Sequence, residues 1–126
     1  MVESASLIRL EAVNGVAVVG FTTTHIYDLA TVDDLERQFR RLLDGQPDLA
    51  AGRMVIDFTG VEFMVTRVIN TLLVVLKRVR SAGGEVVLCG MGTNVDRVIR
   101  LMRLDRVFAT FPARQQALDS LRAGRA

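Results

Sequence analysis

The sequence predicts an α/β sandwich with about four helices. Its mixed sheet is mostly parallel and has about five strands. Two observations support this fold class: an opening pair of apolar segments joined by a tight turn, and short apolar segments that then alternate with longer amphipathic ones. Strands that alternate with helical patterns are typical of a parallel sheet covered by helices. We expect residues 1–126 to form one domain, because 126 residues is a usual single-domain length.

A β-hairpin opens the predicted fold. Apolar and polar residues alternate at 8–12, and a second apolar segment occupies 16–21. Asn14 and Gly15 lie between these segments, and this dipeptide favours a two-residue hairpin turn because both residues tolerate a positive φ. The chain is therefore expected to begin with two antiparallel strands.

The first helix is predicted at 32–43. Thr31, with Asp34 three residues later, resembles a capping box in which Asp takes the usual place of Glu or Gln. Apolar residues follow at helical spacing, namely Leu35, Phe39, Leu42 and Leu43. A glycine soon after the last of them is expected to end the helix.

Three further apolar segments predict strands at 54–58, 86–89 and 107–111. The first two are nearly continuous apolar runs, which is typical of strands buried on both faces of a parallel sheet. Asp57 interrupts the first run near its end. We expect that strand to present this carboxylate where it ends.

Three amphipathic segments predict the remaining helices. The second helix is expected at 67–81, where apolar residues recur at i, i+3, i+4 and i+7 and two glycines follow. Asn94 is the expected N-cap of a third helix, and Pro112 precedes a closing one. Residues 122–126 are expected to fray.

Composition excludes several classes of protein. Half of the residues are hydrophobic, yet no apolar run approaches the roughly 18 residues that a membrane span requires. The N-terminus lacks the basic and apolar regions of a signal peptide, so we expect a cytoplasmic protein without membrane insertion. The single cysteine, Cys89, suits a reducing compartment.

Charge is divided unevenly along the chain. Residues 1–63 have five Arg against ten acidic residues, whereas residues 64–126 have ten Arg and Lys77 against four. A basic half can indicate nucleic-acid binding, but these cations are scattered through amphipathic helices without interleaved aromatic residues. We therefore expect no nucleic-acid partner.

The sequence predicts no catalytic, cofactor or metal site. Cys89 and His25 are the available nucleophile and base, but Cys89 lies within an apolar strand and His25 in a polar segment without an evident partner. Residues 90–92 resemble part of a dinucleotide-binding loop, yet Val95 replaces its third glycine, which favours a structural turn. One Cys and one His provide no zinc-ligand spacing.

A resemblance to a known family begins at residues 55–64, Val-Ile-Asp-Phe-Thr-Gly-Val-Glu-Phe-Met. This segment is similar to the signature of STAS domains, the sulphate transporter and anti-sigma factor antagonist family. Segment 80–90 resembles the strand of that family that follows two glycines. Segment 98–108 resembles its closing Leu-Asp-x-hydrophobic-Phe motif. The resemblance covers nearly the whole chain and implies a STAS-like sandwich.

The resemblance implies a non-enzymatic module that binds other proteins. In bacterial partner-switching networks, an anti-sigma factor antagonist binds an anti-sigma factor, which is a serine/threonine kinase, and a sigma factor is released. The kinase phosphorylates a Ser or Thr at the start of the second helix. The alternative is a STAS accessory subunit that regulates a transporter ATPase. A homodimer is also left open.

The chain departs from the family pattern at this switch. Family members usually have Asp-Ser-Ser/Thr-Gly/Ala-Leu where residues 65–69 are Val-Thr-Arg-Val-Ile. Arg67 therefore occupies the usual acceptor position, and Thr66 is either an alternative phosphoacceptor or only the helix cap. We expect the partner-binding face to comprise Asp57, Thr59, Val65, Thr66, Arg67 and Asn70.

Arg67 is expected to help bind an anion. Its guanidinium, the Thr66 hydroxyl and the free N–H groups of the helix start would then converge on one position. The complementary partner surface would be acidic.

Overall fold

The computed structural model describes residues 6–123, apart from the side chains at positions 50, 122 and 123. Within these residues the strands are β1 (Ile8–Val13), β2 (Val16–Phe21), β3 (His25–Ile26), β4 (Arg53–Asp57), β5 (Phe63–Met64), β6 (Glu85–Cys89) and β7 (Thr110–Phe111). The helices are α1 (Leu29–Gly45), α2 (Pro47–Ala50), α3 (Val68–Ser81), α4 (Thr93–Leu101) and α5 (Arg114–Ala123), with a 3₁₀ helix at Leu104–Arg106. Fraying was expected at 122–126. Residues 122 and 123 belong to α5, and residues 124–126 lie outside the described part of the chain.

The main sheet has the strand order β1-β2-β4-β6-β7. Only the β1–β2 hairpin is antiparallel, and the other three pairs are parallel. Asn14 and Gly15 both have positive φ in the hairpin turn, as this dipeptide predicts. The α/β fold class and the mixed sheet of five strands are confirmed.

Both faces of the sheet are covered. Met54, Ile56 and Phe58 belong to the larger core cluster, which also contains the buried residues of α1, α3 and α4. Val55 belongs instead to a smaller cluster with the buried residues of α5. Because side chains alternate along a strand, residues of β4 that are neighbours in sequence pack against different helices.

The start of α1 differs from the prediction. The helix begins at Leu29, and its N-cap is Asp28, whose Oδ1 accepts a hydrogen bond from the Thr31 N–H at 3.2 Å. The predicted capping box at Thr31 is therefore wrong. Thr31 lies in the first turn, because an Asp three residues earlier already binds its N–H.

The helix cap predicted at Asn94 is also wrong. Helix α4 begins at Thr93 after Gly92, without a side-chain cap. The Asn94 side chain instead donates from Nδ2 to the Glu62 carbonyl oxygen at 3.2 Å. This hydrogen bond links the start of α4 to the segment before β5.

The last strand is shorter than predicted. The N–H groups of Val107 and Phe108 both donate to the Leu104 carbonyl, so residues 107–108 continue the turn of the 3₁₀ helix. Only Thr110–Phe111 pairs with β6. Phe108 is nevertheless buried in the core, which explains the apolar pattern at this position.

Replacing Asp28 with alanine should lower the free energy of unfolding by about 0.5–2 kcal/mol, because α1 loses its capping acceptor. The control Thr31→Ala should change that free energy by less than about 0.7 kcal/mol, in the stabilising direction that helix propensity favours. Urea denaturation of both variants measures the difference. A larger loss for Thr31→Ala would assign the cap to Thr31 after all.

Candidate functional site

Asp57 lies at the end of β4 and is only 3% exposed. Its Oδ1 accepts hydrogen bonds from the Thr59 N–H at 3.0 Å and the Thr59 hydroxyl at 2.6 Å. Its Oδ2 accepts one from Nε of Arg114, on α5, at 2.9 Å. The carboxylate therefore joins the end of the central strand to the helix on the α5 face of the sheet.

Burial alone would raise the pKa of the Asp57 carboxyl. The hydrogen bonds from Thr59 and the charge and hydrogen bond of Arg114 outweigh burial, so this pKa is held below its usual range. Gly90 borders the same carboxylate with a φ of +72°, and a Cβ there would lie 2.5 Å from both Asp57 Oδ1 and Thr59 Oγ1. Only glycine fits at that position.

Cys89 and His25 lie in different surroundings. Cys89 is the register partner of Asp57 on β6 and is fully buried with the α5 face. Burial, together with the charge of Asp57, raises the pKa of the Cys89 thiol to about 12, which disfavours the nucleophilic thiolate. His25 is exposed on β3, and its Nδ1 lies 2.8 Å from the Thr24 hydroxyl.

The start of α3 is held at the surface by the small parallel sheet of β3 and β5. Directly after β5, the Val65 N–H donates to the Ile26 carbonyl at 3.0 Å. Thr66, Arg67 and Asn70 follow with exposed side chains, and Val65 is half-buried. Four of the predicted site residues therefore lie together in one short segment.

Arg67 occupies the N-cap position of α3, and no side chain of the described residues caps this helix. The cap interpretation of Thr66 is therefore wrong. The N–H groups of Val68, Ile69 and Asn70 already donate to the carbonyls three residues earlier. The helix start therefore does not offer these three N–H groups to an anion, contrary to the prediction.

Arg67 also has an acidic neighbour. Its Nη2 lies 3.8 Å from Oδ1 of Asp33 on α1, and both side chains are more than half exposed. At this distance and exposure the ion pair adds little to stability. Its functional consequence is that Asp33 partly balances the charge of Arg67, so this surface is less positive than the sequence predicts.

The predicted site residues thus divide into two groups. Asp57 lies inside, and the Thr59 hydroxyl is directed to it although Thr59 itself is exposed. The segment 65–70 lies at the surface, beside the helices that cover the other face of the sheet. A partner at the surface can contact this segment. Asp57 is buried, so it influences such a contact only by fixing the structure beneath the segment.

An aromatic cluster beside this segment was missed by the sequence reasoning. His25, Tyr27 and Phe63 have ring centroids 6.0–6.5 Å apart, and Tyr27 is 60% exposed while Phe63 is 43% exposed. Pairing of β3 with β5 brings these residues together although they are far apart in sequence. The available signal was the presence of Tyr and Phe in polar segments of a chain with only 6% aromatic residues.

No group of three or more His, Cys, Asp or Glu among residues 6–123 is arranged to hold a metal ion. Over the same residues, no helix combines the length and apolar character that a membrane span needs.

The substitution Asp57→Asn should lower the free energy of unfolding by about 1–3 kcal/mol at pH 7, because three donors lose a charged acceptor. Since folding lowers the pKa of Asp57, its stabilisation is complete above the unfolded pKa of about 3.9 and is lost as the pH falls through the lower folded value. The difference between parent and variant should therefore be constant from pH 7 to 5 and shrink below about pH 4.

The matched control is Glu11→Gln, which removes the exposed partner of the same Arg114. We expect a loss below about 1 kcal/mol. Denaturant titrations across this pH range measure both variants. Equal effects of the two substitutions would show that burial of Asp57 has no special importance.

Comparison with known proteins gives the family. The family model described as STAS domain matches residues 8–117. An anti-sigma factor antagonist from Mycobacterium paratuberculosis is 28% identical, with a TM-score of 0.73 over 91% of this chain and 92% of that one. An anti-sigma-factor antagonist (STAS) domain protein from Planctomyces limnophilus is 23% identical, with a TM-score of 0.78 over 90% and 97%.

A third structure of the same fold is that of the anti-sigma factor antagonist SpoIIAA from Bacillus in its unphosphorylated form. It is 15% identical, with a TM-score of 0.71 over 92% of this chain and 96% of that one. The family match covers most of the chain, from the hairpin to α5. This chain belongs to the STAS domain family.

Proposed function

We propose that this chain is a non-enzymatic, protein-binding module of a bacterial partner-switching network, as an anti-sigma factor antagonist or a relative of one. Its partner is an anti-sigma factor of the serine/threonine kinase type. Membership of the STAS family and the likeness to proteins described as anti-sigma factor antagonists support this proposal. The proposal takes residues 1–126 as one domain that acts in the cytoplasm.

The start of α3 is the proposed docking face, with Val65, Thr66, Arg67 and Asn70 in contact with the partner. The observation that supports it best is the state of Thr66, which is exposed and is not used as a helix cap. Among the described residues this hydroxyl does not cap α3, so it is available to a kinase. Thr59 and Asp57 support this face from beneath by fixing the turn that leads toward β5.

Thr66 is the proposed phosphoacceptor, in place of the family position that Arg67 occupies. A phosphate adds about −1.5 to −2 charge at pH 7. The adjacent Arg67 is held only loosely by Asp33, so its guanidinium can turn to the phosphate. Phosphorylation would then release Asp33 and change both the charge and the shape of the docking face. SpoIIAA, which has the same fold, is described in a phosphorylated form, in keeping with such a switch.

The first test is phosphorylation of the full chain by the purified anti-sigma factor kinase that this proposal names as the partner. Phosphopeptide mapping should place the label on Thr66, and Thr66→Val should abolish it. The control Arg67→Ser restores a hydroxyl at the usual family position and should remain a substrate. Labelling of Arg67→Ser but not of the parent chain would contradict the assignment to Thr66.

The second test is binding of the purified anti-sigma factor, measured by titration calorimetry. The phosphate mimic Thr66→Glu should weaken binding by about 10- to 100-fold, which corresponds to about 1.4–2.8 kcal/mol. Thr66→Val should stay within about threefold of the parent, because it keeps the shape without adding charge. Equal affinities of Thr66→Glu and Thr66→Val would contradict the proposed docking face, and capture of a transporter ATPase instead would favour the alternative function.

A further inference from the structure

Exposed apolar side chains are concentrated in two patches. Of the eight large hydrophobic residues that are most exposed in the described part of the chain, six fall into these patches. One contains Tyr27, Leu29 and Phe63, and the other contains Leu101, Met102 and Val107. Groups of exposed apolar residues that are bordered by polar ones often mark interaction sites.

The first patch has acidic residues directly next to it in sequence, and we call it the acidic–aromatic patch. Tyr27 and Phe63 are in ring contact, and Leu29 follows Tyr27 by two residues. Asp28 lies between Tyr27 and Leu29, and the exposed Glu62 precedes Phe63. Glu62 has no ion pair within residues 6–123.

The second patch has several exposed arginines near it in sequence, and we call it the basic–apolar patch. Leu101 is 70% exposed at the end of α4, and Met102 and Val107 lie on either side of the 3₁₀ helix. Arg97, Arg103 and Arg106 are exposed around them, and none forms an ion pair with another described residue. Arg100 differs because Asp96 and Asp105 already balance it.

The two patches lie toward opposite ends of α4. Asn94, in its first turn, donates a hydrogen bond to the Glu62 carbonyl, next to the acidic–aromatic patch. Leu101 is the last residue of the helix. Seven residues along a helix correspond to about 10 Å, so the patches of one chain do not cover each other.

We propose that the basic–apolar patch of one chain binds the acidic–aromatic patch of a second copy. The two patches have complementary charge, and each offers three exposed apolar residues for burial. Arginine also stacks well on aromatic rings, and Tyr and Arg are enriched at the centres of protein interfaces. The uneven charge of the two halves of the sequence thus serves self-association.

The contact is small and is therefore expected to be weak. Interfaces that bury less than about 1,200 Å² are usually transient. The segment 65–70 begins two residues after Phe63, so a second copy on the acidic–aromatic patch would lie beside the proposed docking face. The inference itself does not depend on the proposed function, because its test needs no other protein.

Sedimentation velocity of the full chain tests the inference, from about 10 μM to 1 mM, a range that suits weak association. In 50 mM NaCl the average mass should rise with concentration above the monomer value of 13.9 kDa. In 500 mM NaCl this association should weaken several-fold, because salt screens the charged contacts. A chain that stays monomeric at 1 mM in low salt would overturn the inference.

Two variants identify the surfaces. The double variant Arg97→Glu/Arg106→Glu disables the basic–apolar patch, and Glu62→Lys disables the acidic–aromatic patch. Each should be monomeric alone, but an equimolar mixture should form a heterodimer, since each variant retains the patch that the other lacks. The exposed Arg41→Glu, on α1, is a charge-reversal control outside both patches and should associate like the parent.

Thermal melts establish that each variant is folded. Association of the two variants in the mixture is independent evidence of the same, because it requires an intact patch on each. Association of either variant alone at the strength of the parent would overturn the inference. So would failure of the folded variants to associate when mixed. A parent chain that stays monomeric but binds vesicles with anionic lipids would assign the basic–apolar patch to a membrane surface instead.

Discussion

Successive side chains of the central strand β4 point to opposite faces of the sheet, and this alternation decides where each functional group lies. Ile56 and Phe58 must pack beneath α1 and α3, so Asp57 between them is directed to the α5 face. A buried carboxylate requires partners, and Thr59 and Arg114 provide them. The strand therefore ends in a fixed turn, from which the chain runs to β5 and the start of α3.

This constraint separates the structural carboxylate from the surface that a partner can reach. Asp57 fixes the turn, whereas Thr66, Arg67 and Asn70 at the start of α3 present their side chains to solvent. Arg67 lies where the family resemblance predicts a hydroxyl, but Asp33 balances part of its charge and the nearby N–H groups are already bonded. Within residues 6–123, the start of α3 consequently combines a partly balanced Arg67 with the exposed Thr66, rather than a preformed anion site.

Much of the fold could be predicted because its signals are local. Asn14 and Gly15 specify the hairpin turn, and the buried strands and long helices have the expected apolar patterns. The errors occurred where two local patterns compete, as when both Asp28 and Thr31 resemble a helix cap. Val107 shows a different cause, since a turn after Leu104 outweighs its strand propensity.

The candidate site was harder to predict because its contacts join distant parts of the chain. The sequence indicates Asp57 but not its pairing with Arg114, which is 57 residues away. Similarly, nothing local to His25 or Tyr27 indicates that Phe63 completes an aromatic cluster with them. The family pattern located residues 65–70 correctly at a helix start, but it did not reveal that Asp33 lies close to Arg67.

Amide hydrogen exchange, followed with and without the proposed anti-sigma factor partner, tests most directly whether the start of α3 is the docking face. Protection on binding should concentrate in residues 59–70 and in the neighbouring β3, while α5 should exchange at its original rate. Protection confined to α5 and the face of the sheet beneath it would contradict this account of the molecule.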